Sequence, residues 1–578
     1  MSGICLSPGY YKMHGMIPSV PSFVPRRSAR LASALGAVLA LALTSTQPAQ
    51  AAAEEDTSGP TRAEASVSAY LRGVRDRPEK LTAFFRALPK GADLHNHLSG
   101  AATTELLLRI AVEADYCIDT TTLTASAPPC TGNTRPAADT LTDLAFRRQV
   151  IRAWSMQDFT PNQGESSHDH FFATFGKFGA VSGLHPGRLL AQVATSAAKQ
   201  HQFYLETMWT PAWYAADALA TKVGYHSDLA LMRDKMLADG GMDAVVQEAM
   251  SETDSMIAEF RTDAHCDTDH PDAGCALPVR FIAQVDRGGP PELVFAQMLL
   301  GVELARRDPR FVSLNLVGPE ENPVAVANYR LHMRMLKYLR GVYPDVPLTL
   351  HAGELVPGLV KPEDLRFHVR DAVLTARSDR IGHGVDIRRE DDYRELLRLM
   401  ARRHVLVEVP LTSNAQVLGV TGPAHPFPLY RAYDVPVALA TDDQGVERTD
   451  ISREYQRAAL TYQLDYPVLK DLARTSLEYA FLKGHSLWRD RNGHQTVPEC
   501  AGDRLGDPTP GKRCAHFLAS SAKATVQWKQ EDAFHAFERT FAARTPQATD
   551  RIPHYQHARR DHENPAPPRR TSTSALIP

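Results

Sequence analysis

The sequence predicts an α/β fold of the (β/α)8 TIM-barrel type, with helical and disulfide-bearing insertions, and three observations carry that reading. From about residue 80, eight short apolar runs rich in β-branched residues alternate with stretches of helical periodicity. No Gly-x-Gly-x-x-Gly follows the first run, as an open, doubly wound nucleotide-binding sheet would require. Several of the runs stop on histidine or a carboxylate, and the C-terminal mouth of a parallel barrel is where such strand ends gather.

Composition sets the outer limits. The chain has 578 residues, of which 43% are hydrophobic, enough for a large core. A formal net charge of −3 and the lack of a long basic run give no reason to expect a nucleic-acid or anionic-membrane partner. Near the N-terminus, Arg26, Arg27 and Arg30 precede an uncharged apolar run at 31–43, and Ala49-Gln50-Ala51 supplies a small-x-small cleavage site. The run is short of the ~20 residues that a transmembrane helix needs. Residues 1–51 therefore read as a removed signal peptide and the mature protein as exported, periplasmic or extracellular. Residues 52–79 read as a leader, 80–545 as the barrel with C-terminal helices, and 546–578 as a disordered tail.

Cysteine usage agrees with export. Cys117 and Cys130, Cys266 and Cys275, and Cys500 and Cys514 fall as near neighbours in Pro-, Gly-, Thr- and Asp-rich stretches. An even count in an exported chain reads as disulfides, and nearest-neighbour pairing is the expectation.

The expected strands are 91–97, 203–209, 279–286, 311–317, 346–351, 380–384, 405–410 and 435–441. Between them, Leu365, Val369, Ala372 and Val373, and then Tyr393, Leu396, Leu397 and Met400, repeat at helical spacing. The first strand ends Asp93-Leu94-His95-Asn96-His97, and alternation puts both imidazoles on one face. A second His-x-His, His168-Asp169-His170, precedes Phe171, Phe172, Phe175 and Phe178, whose spacing is helical. Its histidines should splay apart as a polar lead-in to an aromatic-packed helix.

The fourth strand ends at Gly318, where a backbone N–H could approach a flat ligand. The fifth ends His351-Ala-Gly-Glu354, the sixth places His383 between two glycines, and the eighth ends on Asp442-Asp443. Adjacent carboxylates repel unless a cation or a donor-rich ligand offsets them. Three imidazoles and a carboxylate at one mouth suit Zn²⁺ with a water completing the shell. Glu354, close to a ligand yet free to reach a substrate, suits a proton donor.

Lys90-Gly-Ala-Asp-Leu-His-Asn-His, His-Ala-Gly-Glu, Gly-His-Gly and Thr-Asp-Asp, in that order, resemble the adenosine deaminase family over roughly 85–490. The Pro89-Lys90-Gly91 lead-in and the signal resemble its exported, growth-factor-like branch. The resemblance implies one zinc per chain on His95, His97, His351 and Asp442. It implies Glu354 as donor to purine N1, His383 with Asp442 acting on the attacking water, Asp443 on N7 and the Gly318 N–H on N3. The implied reaction is hydrolytic deamination of adenosine or 2′-deoxyadenosine at C6, by hydroxide generated on the metal, giving the inosine product and ammonia. The implied partner is a small purine nucleoside; a homodimer stays open.

Two positions depart from the family pattern. Ser99 stands where relatives of the adenosine type commonly place an Asp on the ribose 5′ end, so that contact carries no charge here. Gln444 follows Asp-Asp where many relatives have Pro. Two other readings compete: a deaminase of adenine or AMP, and a catalytically silent secreted binding protein of growth-factor type. The latter would be expected to have lost a ligand or the acid, and this chain keeps all of them. The insertions around Cys117–Cys130 and Cys500–Cys514 could form a lid, a dimer surface or a receptor-facing patch.

Overall fold

In the computed structural model of the protein, residues 60–161, 164–491 and 494–544 are described. The proposed signal peptide and the whole 546–578 tail lie outside them. Eight parallel strands appear in the predicted order: β1 Gly91–Asp93, β2 Gln202–Trp209, β3 Val279–Asp286 and β4 Phe311–Val317, then β5 Thr349–Ala352, β6 Arg380–His383, β7 Leu406–Val409 and β8 Val437–Leu439. They pair as two four-stranded sheets, β1 to β4 and β5 to β8. Isolated parallel bridges, Leu314 with Leu348 and Asn96 with Asp442, join the two sheets on either side, which closes the barrel.

Several strands are shorter than the sequence suggested. β1 stops at Asp93, but extended backbone continues to His97, whose residue bridges Met208. Hydrogen bonds from Asp442 N–H to His95 O (2.9 Å) and from His97 N–H to Asp442 O (3.2 Å) hold that continuation against β8. His95, His97 and Asp442 therefore sit just past the regular ladder, whereas His351 lies within β5, opposite Gly382 of β6.

The helix predicted around 365–373 is broken. A 3-10 turn at Asp364–Arg366, a single α turn at His368–Asp371 and a π turn at Ala372–Ala376 replace it. Phe367, at φ −148°, ψ −4°, interrupts the helix, and buried His368 turns inward onto Glu320. By contrast, Tyr393–Arg403 is a helix with Leu396, Leu397 and Met400 buried, as the spacing implied.

Of the stretch 52–79 read as a leader, residues from 60 onward are described. Residues Arg62–Val74 form a helix started by a Thr61/Glu64 capping box, and Val67, Leu71 and Val74 are buried in the main core. Tyr70 and Phe84 meet Phe541 of the helix Ala522–Ala542, ring edge to face.

All three nearest-neighbour disulfides form: Cys117–Cys130, Cys266–Cys275 and Cys500–Cys514. The first closes a loop within a three-stranded antiparallel sheet of residues 117–119, 125–126 and 134–136. The 125–126 strand packs against the helix Ser167–Ser182, so this insertion buttresses an element of the mouth. Among the described residues, no helix is long and apolar enough to cross a membrane.

Candidate metal centre

Three strand ends, those of β1, β5 and β8, bring His95, His97, His351 and Asp442 together, with ligand atoms all within 4.8 Å of one another. His97 Nε2 lies 3.3 Å from His351 Nε2 and 3.3 Å from Asp442 Oδ1, while His95 Nε2 is 3.5 Å from the same oxygen. All four residues are buried.

The reason their Nε2 atoms converge lies one layer out. His95 Nδ1 donates to Glu408 Oε2 (2.7 Å), His97 Nδ1 to Gln284 Oε1 (2.6 Å), and His351 Nδ1 to Asn315 Oδ1 (3.0 Å). Each acceptor fixes the hydrogen on Nδ1, so each Nε2 presents a bare lone pair to the centre. Gln284 is oriented in turn by donating its amide to Thr210 Oγ1 (2.9 Å), and Asn315 Oδ1 also receives the His351 backbone N–H (2.8 Å). Glu408 is held as an anion by Arg380 at 2.6 Å, outweighing the burial that would protonate it. These three outer residues were missed from sequence. A signal existed: Asn315 and Glu408 are polar residues in the middle of apolar strands, where a polar group needs a partner.

The electrostatics ask for a cation. Burial disfavours charge on His95, yet Asp442 and Glu408 outweigh it and raise the ring's pKa to about 10, so Nε2 takes a proton where no metal ion is bound and yields its lone pair when a cation replaces that proton. Asp442 is held well below the usual carboxylate range, because its histidine neighbours overcome its burial. Burial and the surrounding positive charge push His351 well below 6.5, leaving it neutral with a free lone pair. His95 Nε2 is buried with no hydrogen-bond partner. Three lone pairs, one carboxylate and an unanswered demand for positive charge fit a zinc ion.

His383 is different in kind. Phe427 N–H donates to His425 Nδ1 (3.0 Å), so His425 carries its hydrogen on Nε2 and donates to Asn414 Oδ1 (2.9 Å). Asn414 is left to donate from Nδ2 to His383 Nδ1 (2.8 Å), which places the hydrogen of His383 on Nε2. That nitrogen faces Asp442 Oδ2 at 3.7 Å and cannot be a metal ligand in this tautomer. Burial lowers the ring's pKa to about 3, so His383 is neutral at physiological pH. Both His383 (φ 67°) and Asp442 (φ 55°) hold left-handed backbone conformations that cost a non-glycine residue energy, a strain common at working sites.

Glu354 is buried beside this group, its oxygen 3.7 Å from His383 Nδ1. Gly353 makes its turn, at φ 76°: a side chain there would strike Asp386 and Val369. Glu320 clasps the turn, accepting the N–H groups of Gly353 (3.1 Å) and Glu354 (2.8 Å) while pairing with His368. Burial, then the charges of Asp442, Glu320 and Glu321, push the Glu354 carboxyl well above 4.5. The shift favours the protonated acid, the form a proton donor needs.

Asp443 precedes a short helix at Gln444–Glu447, but its side chain makes no capping hydrogen bond. Its Oδ1 is buried and unpartnered, and burial with the Asp442 charge, partly opposed by His97, raises its pKa to about 7. At Gly318 (φ 88°), a Cβ would meet Asp286 Oδ1 at 3.5 Å. Ser99, Gly318, Glu354, Asp442 and Asp443 line one cavity of about 500 Å³ with His97 and His351. The second His-x-His does splay: His170 packs on Phe159 and bonds backbone carbonyls, whereas His168 pairs with Glu321. Phe171, Phe172 and Phe175 of the same helix do more than pack, because they form the apolar wall of this cavity.

Fold and site together define a barrel of the metal-dependent hydrolase superfamily. The family model described as "Adenosine deaminase" matches residues 131–487, and the chain belongs to the adenosine deaminase family. The matched span includes His351, Glu354, His383, Asp442 and Asp443 but starts beyond His95, His97 and Ser99. Similar curated proteins include an adenosine deaminase of Enterococcus faecalis, 37% identical over 139 residues, covering 24% of this chain and 38% of that one. An N6-methyl-AMP deaminase of Danio rerio is 31% identical over 216 residues (36% and 57%), and an adenine deaminase of Rhizobium johnstonii is 31% identical over 208 (36% and 58%). The chain thus spans about 38–58% of the length of these relatives. Among solved structures, arabidopsis ADAL complexed with IMP aligns with TM-score 0.45 at 22% identity, over 69% of this chain and 94% of that one.

Proposed function

We propose that the protein is a zinc-dependent deaminase of an adenine nucleoside, converting adenosine or 2′-deoxyadenosine to the inosine product and ammonia. The observation that carries this reading is the convergence of three imidazole Nε2 atoms and Asp442 beside a buried Glu354 whose carboxyl is pushed toward its protonated form. His95, His97, His351 and Asp442 would hold the metal. When bound, zinc lowers the pKa of a water to roughly 7, supplying a nucleophile at neutral pH.

The remaining steps belong to side chains. His383 presents Nε2–H toward the water, so it orients the oxygen as a donor, and Asp442 Oδ2 beside it is the proton acceptor at hand. Glu354 gives its proton to purine N1, which makes C6 electrophilic. Asp443, half-protonated near neutrality, would donate to N7, and the Gly318 N–H would donate to N3. Phe172 and Phe175 offer apolar faces to the base.

A nucleoside is favoured over a nucleotide by charge. No Lys or Arg is among the residues lining this cavity, whereas Asp286, Glu354, Asp442 and Asp443 are. A phosphate dianion there would meet like charge without a counter-cation. The same absence speaks against the AMP reading. The test is ammonia release from adenosine, 2′-deoxyadenosine, adenine and AMP by purified protein, with and without a chelator. Chelator-insensitive turnover, or AMP as the best substrate, would overturn the reading.

Export is proposed with it, since three local disulfides suit an oxidising compartment. N-terminal sequencing of exported material should begin near Ala52; an intact Met1 would count against it.

A further inference from the structure

A second cavity, of about 770 Å³, lies against the first. Ser99, Thr210, Trp213 and Gln284 line both, so the two share a wall at the point where the family resemblance places the ribose 5′ end. The first cavity alone is of the size that encloses a small ligand. The second therefore offers room beyond what a plain nucleoside fills.

The shared wall is permissive. Ser99 is small, uncharged and makes no side-chain hydrogen bond among the described residues, so nothing there demands a free 5′-hydroxyl. Thr210 and Gln284 are already engaged with each other and with His97. The far chamber mixes apolar surface with carboxylates: Leu184, Met256 and the rim residues Trp213 and Tyr214 on one hand, Glu252 and Glu259 on the other. Glu252 accepts the Ala212 N–H (2.7 Å), and Glu259 accepts the Gly187 N–H (2.8 Å) and pairs with His185. No Lys or Arg is among the residues lining this chamber either. An anionic extension would find no partner, whereas a neutral apolar one would find Met256 and the indole of Trp213.

We propose that the chamber beyond Ser99 receives a 5′ substituent, and that the preferred substrate is an adenosine extended at its 5′ carbon by a neutral, largely apolar group. This rests on the deaminase reading above and narrows its substrate class. Ser99 is then a specificity residue: its missing charge leaves the 5′ end free to be substituted.

The experiment compares ammonia release by the zinc-loaded full chain from adenosine, 5′-deoxy-5′-methylthioadenosine and AMP. The thioether should exceed adenosine in kcat/KM by at least about 10-fold, and AMP should fall below adenosine. Ser255→Trp, placed on the exposed chamber wall, should erase the thioether's advantage while leaving adenosine turnover as it was. Ser182→Trp, on a different helix lining the same chamber, should do the same, which covers the case in which one variant misfolds. Adenosine turned over as well as or better than the thioether would overturn the chamber proposal and leave the deaminase reading standing. Loss of both substrates in parallel in two folded variants would also overturn it. No ammonia from any adenine nucleoside, with zinc bound, would overturn the deaminase reading itself.

Discussion

Asn414 donates its side-chain amide to Nδ1 of His383 across 2.8 Å, and that bond decides that Nε2, the nitrogen facing the metal centre, carries the hydrogen. The direction of the bond is set two residues away, by Phe427 N–H on His425. Asn414→Asp keeps the size but reverses the polarity, because a carboxylate accepts the hydrogen from Nδ1 and leaves Nε2 bare. The expected result is a loss of kcat of about 10²-fold or more, within the range for a misdirected acid–base group. KM and zinc content should change little. Steady-state kinetics with metal analysis checks it; wild-type kcat would mean that the tautomer does not matter.

The acid and the metal site should separate experimentally. Glu354→Gln preserves shape and the Glu320 clasp on the backbone, yet cannot transfer a proton. It should lower kcat by about 10²–10⁴-fold while retaining zinc and fold. An empty metal site in that variant would make Glu354 a ligand, and near-normal turnover would assign the acid to another residue.

Metal content offers a graded test. His97→Ala should remove most of a one-per-chain zinc. Gln284→Ala removes only the acceptor behind His97 Nδ1, and it should weaken affinity by about 10–100-fold without abolishing binding. Competition with a chromogenic chelator would measure both. Equal loss in the two variants would remove the distinction between ligand and support.

The pH dependence of stability has a named contributor. Burial, chiefly, raises the Glu390 pKa from 4.5 to about 8, although its Oε1 accepts the Val369 N–H (2.6 Å). Between those two values the folded state keeps a proton that the unfolded chain has released. Stability from this group therefore falls as pH rises from about 4.5 to 8 and levels off above. Glu390→Gln still accepts that N–H through its amide oxygen, so it should flatten this decline and raise thermal stability at pH 8.5 relative to wild type. Parallel melting curves from pH 5 to 8.5 for the two proteins would refute it.

Much of the site was legible in the chain itself, since His95, His97, His351 and Asp442 are ligand-type residues at the ends of apolar strands. Strand periodicity and the parallel-barrel architecture bring such ends to one mouth without further information. The nearest-neighbour disulfides were legible for a similar reason: short loops leave few partners within reach. What only the tertiary structure decided is everything that depends on residues distant in sequence meeting in space. The tautomer of His383 depends on a chain of bonds through Asn414 and His425, and the aim of each ligating ring depends on Gln284, Asn315 and Glu408 from three other strands. The inward turn of His368 that breaks a well-patterned helix depends on where Glu320 lies. The chamber beyond Ser99 depends on how loops and helices pack around a position that, in sequence, shows only a missing charge. Local patterns report what a residue can do and which face it takes; hydrogen-bond direction, buried charge and cavity shape are set by neighbours that the order of residues does not name.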